Sequence, residues 1–555
     1  MFHQLLTPVA NNLFLSFLVG IIPIAVVLIL LGVVRLSAWL SALVGLIVGL
    51  LIAVFVWQMP FQLAASSTIN GMTFALWPVM WIVWNAMWLY NVAVRSGKFE
   101  LFRRWMVHNV PADRRILLLI IGFSFGALME GISGFGTPVA ICSALLIGLG
   151  FEPLDAIVMT LIFNTTPVAF GALGVPITTL HGVTNLPTLA LSAMVGRQLP
   201  IFSLLLPFYA LVVYAGVRSL RTCWPAALVA GLSFALTQFA VSNFIGPELP
   251  DVLASLVSLL CVILFVQVWK PRDTAEYMAA FANASSGPRG GNSEEGAAAT
   301  SQPAGERPTL GQTLLAWLPW LLVSVVVIIW TFAGVAKIGQ VNVAWPNLHN
   351  AIYLTLYKKP YAAIYSFQPL GTGTAILLAM LLTAAVMIAA GARPIILWQA
   401  LIDTWRQLRY AILTVMFIVG LAYLFNYSGM SYTIGLAISS LGVVFPFFSV
   451  FLGWIACFLS GSDTSSNALF GNLQVVAAQQ LKLSPILMAA TNSSGAVMSK
   501  MISPQNLTTG ASTIGLTGKE GLVVRRTFWH SIILACLLGA IVMAQQYLVP
   551  GIIPH

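Results

Sequence analysis

A short polar stretch rich in glycine, at residues 130–138, does most to limit how this chain can fold. It has the sequence EGISGFGTP and lies between apolar runs at residues 116–129 and 139–149. Those runs have 14 and 11 residues, and at about 1.5 Å per residue neither crosses a hydrocarbon core about 30 Å thick. Because irregular backbone is tolerated at that depth only against protein or a water-filled cavity, the stretch predicts the tip of a re-entrant helical hairpin that lines a binding site.

A second stretch of the same kind, SGSDTSSN, occurs at residues 460–467. The apolar runs on its two sides, at residues 445–459 and 468–481, have 15 and 14 residues. These runs are also too short to span a membrane. We therefore predict a second re-entrant hairpin in the C-terminal part of the chain.

The apolar segment after each hairpin is itself interrupted by polar residues. The first interruption is NTTP, beginning at Asn164, and the second is NSSG, beginning at Asn492, which is 328 residues later. In both segments a proline follows the asparagine by twelve residues, at Pro176 and at Pro504. Paired interruptions at corresponding places in two halves are typical of secondary transporters, so the spacing predicts an internal repeat with one broken transmembrane helix in each copy.

Composition places the chain in the membrane. Of its 555 residues, 59% are hydrophobic and only 7% are charged, and the mean hydropathy is +0.94. That balance indicates a polytopic protein with the lipid bilayer as its solvent. The net charge of +10 comes from residues in short loops between apolar spans, which excludes a nucleic-acid interface and fits positively charged cytoplasmic loops. The five cysteines are scattered without CxxC spacing, so we expect neither a disulfide nor a metal site.

We predict an all-α polytopic membrane protein made of two halves. A polar segment between them, rich in Gly, Ser, Pro and Ala, cannot bury apolar surface and is predicted to be a flexible cytoplasmic linker. A stretch of mixed polarity at residues 333–369 is expected to form short surface helices. The predicted parts are the N-terminal half at 1–269, with its hairpin at 116–150 and broken helix at 155–180, the linker at 270–309, and the C-terminal half at 310–555, with its hairpin at 445–481 and broken helix at 485–510.

The positions of lysine and arginine predict the topology. With the N-terminus outside, and with each hairpin returning to the side from which it enters, 19 of the 25 Lys and Arg residues lie in the cytoplasm and four lie outside. This distribution follows the positive-inside rule. The first hairpin then enters from the cytoplasm and the second from outside, so the two halves are predicted to be inverted repeats.

Polar groups at the hairpin tips and helix breaks are the candidates for substrate binding. Free backbone N–H groups at helix N-termini attract anions, and side-chain hydroxyls and amides can bond a small polar molecule. The alternative is that these side chains cap the half-helices and satisfy interrupted backbone. The candidates are Ser133, Gly134, Thr137, Asn164, Thr165, Thr166, Ser465, Ser466, Asn467, Asn492, Ser493 and Ser494.

Three charged residues complete the predicted site. Lys500 lies within the second broken segment, and a lysine inside a membrane span is a functional candidate because it is costly to bury. We predict that it binds a carboxylate; the alternatives are an ion pair with Asp463 or a side chain that extends to the membrane surface. Glu130 and Asp463 are the acidic residues at the predicted hairpin tips, so both are candidates to carry a proton. Glu130 is favoured if Asp463 pairs with Lys500.

Several motifs together resemble bacterial lactate permeases, a family that includes glycolate permeases. The resemblance extends over about residues 13–548 and is weakest at 270–370, and the predicted linker is longer and richer in Gly and Ser than is usual for the family. The motifs are EGISGFGTPVAI at 130–141, NTTPVAFG at 164–171, NFIGPELPD at 243–251, GSDTSSNALF at 461–470 and KMISPQ at 500–505.

This resemblance implies proton-coupled uptake of lactate and related 2-hydroxymonocarboxylates, such as glycolate, across the bacterial inner membrane. It implies a small monocarboxylate and a proton as partners, and no cofactor. An intramembrane enzyme and an anion channel are the alternatives. The chain contains no HExxH, GxSxG or Walker motif, and an enzyme has no need of two symmetric hairpins, so we expect a transporter. Oligomeric state and the preference among L-lactate, D-lactate and glycolate stay open.

Overall fold

The computed structural model describes residues 1–32, 34, 36–108, 111–132, 134, 137–271, 273, 277, 309–503, 506–507, 510–511 and 520–554. Within these residues, eleven helices are long and apolar enough to cross a membrane, or twelve if one strongly bent helix pair is counted as a single span. Large apolar side chains such as Phe55, Phe244 and Leu264 are exposed, as expected where lipid is the solvent. The predicted all-α polytopic fold is confirmed. Most of the predicted linker at 270–309 lies outside the described residues.

The helices of the N-terminal half end mainly at Gly, Pro or Asn residues, which break helical hydrogen bonding. Several are continuous with a short π-helical or 3₁₀ turn. They extend over Leu13–Gly20, Ile22–Gly32, Ala38–Phe55, Phe61–Phe74, Ala75–Met80, Trp81–Arg95, Lys98–His108, Arg114–Leu117, Leu118–Phe125, Gly126–Ile132, Thr137–Gly148, Pro153–Phe163, Val168–Phe170, Gly171–Thr184, Thr188–Val195, Leu199–Phe244 and Pro250–Val268.

The described helices of the C-terminal half begin after the predicted linker. Thr309 caps the first of them, because its side-chain oxygen accepts a bond from the backbone N–H of Gln312 while the Gln312 side chain accepts from the Thr309 N–H. They extend over Leu310–Phe332, Val335–Lys337, Thr372–Ala389, Ile395–Ser428, Met430–Ile438, Ser439–Val444, Phe445–Ser460, Asp463–Gln480, Pro485–Ser499, Lys500–Ile502, Glu520–Tyr547 and Pro550–Ile552.

The prediction of short surface helices at 333–369 is wrong, apart from one 3₁₀ turn, because this stretch forms short β-strands. Val341–Ala344 pairs antiparallel with Ile364–Phe367. Ile352–Leu354 pairs parallel with Phe2–His3, at the start of the chain, and antiparallel with Lys359–Pro360. The β-branched and aromatic residues of these segments favour extended backbone, and the partner at residues 2–3 is too distant in sequence to be read from the local pattern.

The first hairpin turns at Gly134. Its first limb is a continuous helical run over Arg114–Ile132, buried along nearly all of its length, and its second limb is Thr137–Gly148. A Cβ atom on Gly126 would lie 3.6 Å from the Cys142 sulfur, so the limbs pack side by side. The first limb has 19 residues rather than the predicted 14, since the helix starts at the charged residues before the apolar run. Length alone therefore no longer separates a re-entrant limb from a spanning one.

The second hairpin is formed by Phe445–Ser460 and Asp463–Gln480. The Ser466 hydroxyl donates to the Gly453 carbonyl at 3.1 Å, and the Gln474 amide donates to the Ser449 carbonyl at 3.0 Å. These pairs run in opposite directions about Gly461, so the two limbs are antiparallel.

The two broken segments differ in where they break. The first has a turn at residues 164–167, and its helices Pro153–Phe163 and Val168–Thr184 meet at 66°. A second irregularity, with left-handed backbone, covers residues 172–174. In the second segment the helix Pro485–Ser499 continues through Asn492, and the break comes at the 3₁₀ turn Lys500–Ile502.

The expected interruption at Asn492 is therefore wrong, and the two motifs show why. The first carries Pro167, which lacks an N–H donor and cannot continue a helix. The second has Gly495 at the corresponding place, where a Cβ atom would lie 2.3 Å from the Val450 carbonyl oxygen, so this glycine permits close helix packing. Residue 172 plus 328 is residue 500, so the later irregularities, rather than the polar motifs, correspond in the two segments.

Candidate functional site

All four discontinuities meet around one cavity of about 40 Å³. This volume exceeds the roughly 10–15 Å³ that a single water needs, and it suits a molecule of a few heavy atoms. The first hairpin contributes Glu130 and Gly134 and the second contributes residues 461–464. The first broken segment supplies an apolar wall and the second supplies a lysine. The lining residues are Glu130, Gly134, Val168, Gly171, Ala172, Pro176, Gly461, Ser462, Asp463, Thr464 and Lys500.

A buried ion pair joins the two halves in this cavity. The Lys500 Nζ donates to Glu130 Oε1 at 2.6 Å, and the two side chains are only 6% and 3% exposed. Lysine is costly at membrane depth and is retained there with a partner. Glu130 Oε2 has no hydrogen-bond partner among the described residues. The alternative in which Lys500 pairs with Asp463 is wrong, since Glu130 takes that place.

Asp463 begins the longer limb of the second hairpin. Ser462 precedes it and caps the helix Asp463–Gln480, with its hydroxyl oxygen accepting from the Ser465 N–H. The Ser493 hydroxyl donates to Asp463 Oδ2 at 2.6 Å. Asp463 Oδ1 is buried and lacks a hydrogen-bond partner among the described residues. One oxygen of this carboxylate is therefore held by the protein and the other is available.

Three predicted substrate ligands instead hold the second hairpin against its broken segment. Asn492 Nδ2 donates to Asn467 Oδ1 at 3.0 Å and approaches the Ser466 hydroxyl at 3.5 Å. Gln474 donates to Asn492 Oδ1 at 2.8 Å, and Asn467 donates to the Pro176 carbonyl at 3.2 Å. Each amide is occupied, so these contacts support the structural alternative for Asn467, Asn492 and Ser466.

The polar residues of the first break are buried but unoccupied. Both side-chain atoms of Asn164 and the hydroxyls of Thr165, Thr166 and Ser494 have no hydrogen-bond partner in the described part of the chain. Buried polar groups are normally satisfied, so these atoms are suited to bond water or a ligand. They are not among the residues that line the cavity. Ser465 is also buried. Ser133 and the side chain of Thr137 lie outside what the structure describes.

One acidic residue near the site was missed by the sequence analysis. Asp251 was placed in an outer loop, but it is 1% exposed in the first turn of Pro250–Val268. Gln238 donates to its Oδ1 at 3.0 Å, and a Cβ atom on Gly131 would lie 3.1 Å from the Asp251 Cβ. Asp251 therefore packs against the limb that carries Glu130. Its place directly after Pro250 was the available signal, because proline favours the first helical turn.

Comparison with known proteins identifies the family. The family model described as L-lactate permease matches residues 16–549. The chain belongs to the L-lactate permease family. The glycolate permease GlcA of Escherichia coli (strain K12) is 41% identical over 557 residues, which is 98% of each chain. The L-lactate permease of Bacillus subtilis (strain 168) is 39% identical over 577 residues, which is 99% of each chain.

Family membership and the apolar helices make this chain a multi-pass protein of the bacterial inner membrane. Among solved structures, MtrF of Neisseria gonorrhoeae aligns over 94% of this chain and 97% of its own, with a TM-score of 0.49 and 11% identity. The resemblance to lactate permeases expected from the hairpin and break motifs is confirmed.

Proposed function

We propose that this permease takes up lactate and related 2-hydroxymonocarboxylates, such as glycolate, together with a proton. The observation that carries the proposal is the buried pair of Lys500 and Glu130 at the meeting point of four helix discontinuities. Such discontinuities are where secondary transporters bind their substrates. The relatives named as lactate and glycolate permeases support the same substrate class.

The ion pair provides a way to couple the anion to a proton. The substrate carboxylate replaces Glu130 on the Lys500 ammonium, and the released Glu130 takes up a proton. Before loading, the site holds one ammonium and one carboxylate; after loading it holds one ammonium, one substrate carboxylate and one neutral acid. The charge buried in the membrane is the same in both states, so neither state pays for an extra uncompensated charge.

The cavity fits a small acid with a short apolar part. Val168, Ala172 and Pro176 form an apolar wall, against which the methyl group of lactate or the hydrogen of glycolate can pack. The N-terminus of the helix Asp463–Gln480 lies at the cavity, and its free N–H groups favour an anion. The small volume opposes long-chain acids.

This scheme predicts what drives uptake. One proton moving with one lactate anion carries no net charge, so the membrane potential, worth about 2.3 kcal/mol per charge per 100 mV, does not contribute directly. A pH difference of one unit, worth about 1.4 kcal/mol, sustains about a tenfold accumulation. The purified full chain in proteoliposomes should therefore accumulate labelled lactate with a pH gradient when the potential is held at zero.

Counterflow separates the alternatives. Vesicles preloaded with unlabelled lactate should take up labelled lactate faster than empty vesicles if the protein is a carrier. Uptake that is indifferent to preloading would favour an anion channel. Labelled lactate recovered as a different compound would favour an intramembrane enzyme.

The variant Glu130→Gln tests the coupling directly. Its side-chain oxygen still accepts from Lys500, but it carries no exchangeable proton. We expect pH-driven accumulation to fall to the equilibrium level, whereas lactate exchange at equal pH continues, because exchange needs no net proton movement. Glu152→Gln, at an exposed helix start, is the matched control and should accumulate lactate like the unchanged protein. Accumulation by Glu130→Gln at the unchanged level would remove Glu130 from the proton path.

The proposal includes the arrangement of the two halves. We infer that residues 1–269 and 310–555 are inverted repeats joined by the linker at 270–309, with one hairpin open to each side. The left-handed backbone at Gly134 and at Gly461, 327 residues apart, supports a repeat. Labelling of single cysteines introduced at Glu152 and at Lys482, both exposed, should come from the cytoplasmic side for the first and from outside for the second.

A further inference from the structure

We propose that Asp463 recognises the 2-hydroxyl group of the substrate and so selects hydroxy acids over keto acids and unsubstituted acids. This inference rests on the proposed function, since it assigns a residue to one group of the proposed substrate. It concerns recognition only and is separate from the proton, which Glu130 carries in the scheme above.

The carboxylate of Asp463 presents one free acceptor to the cavity. Asp463 lines the cavity and is 3% exposed. Its Oδ2 accepts from the Ser493 hydroxyl, and its Oδ1 has no partner among the described residues. An ionised carboxylate can only accept hydrogen bonds, so its free oxygen requires a donor from the ligand. A 2-hydroxyl group supplies one; a keto oxygen and a methylene group do not.

The positions of the two charged partners fit the geometry of a 2-hydroxy acid. Lys500 is bonded to Glu130 and not to Asp463, so the cation and the free acceptor are separate points on one small cavity. A ligand whose hydroxyl is on the carbon next to its carboxylate can reach both at once. A bare carboxylate facing Asp463 would be repelled, so the hydroxyl also fixes which end of the ligand faces Lys500.

The hydrogen bond from Ser493 makes a sharp variant possible. In Asp463→Asn the amide oxygen takes the bond that Ser493 donates, and the amide nitrogen then stands where Oδ1 stood. The group facing the ligand changes from an acceptor to a donor. A donor suits the keto oxygen of pyruvate and not the hydroxyl hydrogen of lactate, so the preference should invert rather than weaken.

The experiment measures binding of L-lactate, pyruvate and propionate to the purified full chain in detergent, by ligand-induced thermal stabilisation, and repeats the comparison by competition in counterflow. A hydrogen bond to a charged group corresponds to about a tenfold or greater preference, so the unchanged protein should bind lactate at least about tenfold more tightly than pyruvate or propionate. In Asp463→Asn the ratio of pyruvate to lactate affinity should rise about tenfold or more. Asp403→Asn, which alters a partly exposed pair with Arg95, should leave all three affinities unchanged.

The outcomes distinguish this inference from the proposed function. An equal loss of lactate and pyruvate binding in Asp463→Asn would overturn the inference and assign Asp463 to stability or proton transfer. A preference of the unchanged protein for pyruvate would overturn it too, because a proton-bearing Oδ1 would then be the donor. Failure of the unchanged protein to bind or transport any of the three acids would instead refute the proposed function. The binding assay needs no transport, so an inactive but folded variant still gives an answer.

Discussion

Asn164 and Asn492 begin the two polar motifs, 328 residues apart, but their side chains are in opposite states. Asn492 bonds to Asn467 and Gln474 through both of its polar atoms. Asn164 has neither polar atom bonded in the described part of the chain. The same residue type at corresponding positions thus holds the structure together in one half and has free capacity in the other. An internal repeat conserves a framework without assigning equal tasks to its two copies.

The acids at the two hairpin tips differ in the same way. Glu130 bonds across the molecule to Lys500 of the other half, whereas Asp463 bonds to Ser493 within its own half. The contact across the molecule is the one that a substrate carboxylate can replace. The contact within the second half orients a carboxylate while leaving one oxygen free. Division of labour between the copies therefore comes from which half supplies the partner.

Lys500→Ala should have the largest effect, because it removes the contact between the halves. It leaves the Glu130 carboxylate buried without a cation, and breaking a buried pair in this way costs about 3–5 kcal/mol of folding stability. Lactate binding should fall below detection as well. Thermal unfolding in detergent measures the first effect and ligand-induced stabilisation the second.

Two further variants separate charge from packing at this pair. Lys500→Ala combined with Glu130→Gln should recover much of the stability, since no unpaired charge remains, but not lactate binding. Lys500→Arg should not restore full affinity, because a planar guanidinium differs from an ammonium in shape and hydration. Lys482→Ala, at an exposed turn, is the control. Wild-type lactate affinity in Lys500→Ala would sink the assignment of Lys500 to the substrate carboxylate.

The two asparagines should respond differently to the same substitution. Asn492→Ala leaves the amide of Gln474 and the oxygen of Asn467 buried without this partner, so we expect a loss of about 2–4 kcal/mol of stability. Asn164→Ala removes no hydrogen bond seen in the structure, so its stability should stay within about 1 kcal/mol of the unchanged protein, while lactate affinity falls about 3- to 10-fold. Unfolding curves and lactate titrations on both variants provide the check. Equal destabilisation by the two substitutions would end the distinction drawn between the motifs.

Local pattern predicted the architecture, but not the partners. Short apolar runs around glycine-rich tips located both hairpins, and the proline in NTTP located the first bend. The pair of Lys500 with Glu130 joins residues 370 apart, and no spacing rule selects Glu130 over Asp463 as the partner. Asp251 was misplaced for a related reason, because a loop-like motif gives no sign that helices will bury it. The helix through Asn492 depends on tertiary bonds that satisfy its polar side chains.

The smallest effects should come from the two glycines that turn the hairpins, and they sharpen the comparison because their local chemistry is so alike. The Gly134 N–H donates to the Glu130 carbonyl and the Gly461 N–H to the Cys457 carbonyl, and both residues have left-handed backbone, with φ of +58° and +71°. That conformation costs an L-residue about 1–2 kcal/mol, so Gly461→Ala should lose about that much stability. Gly134→Ala should lose more, because its new Cβ atom would also lie 3.2 Å from the Ala172 side chain, in the first broken segment. Parallel thermal unfolding of the two variants gives the difference. A larger loss for Gly461→Ala would mean that the second tip, and not the first, is the more tightly packed side of the cavity.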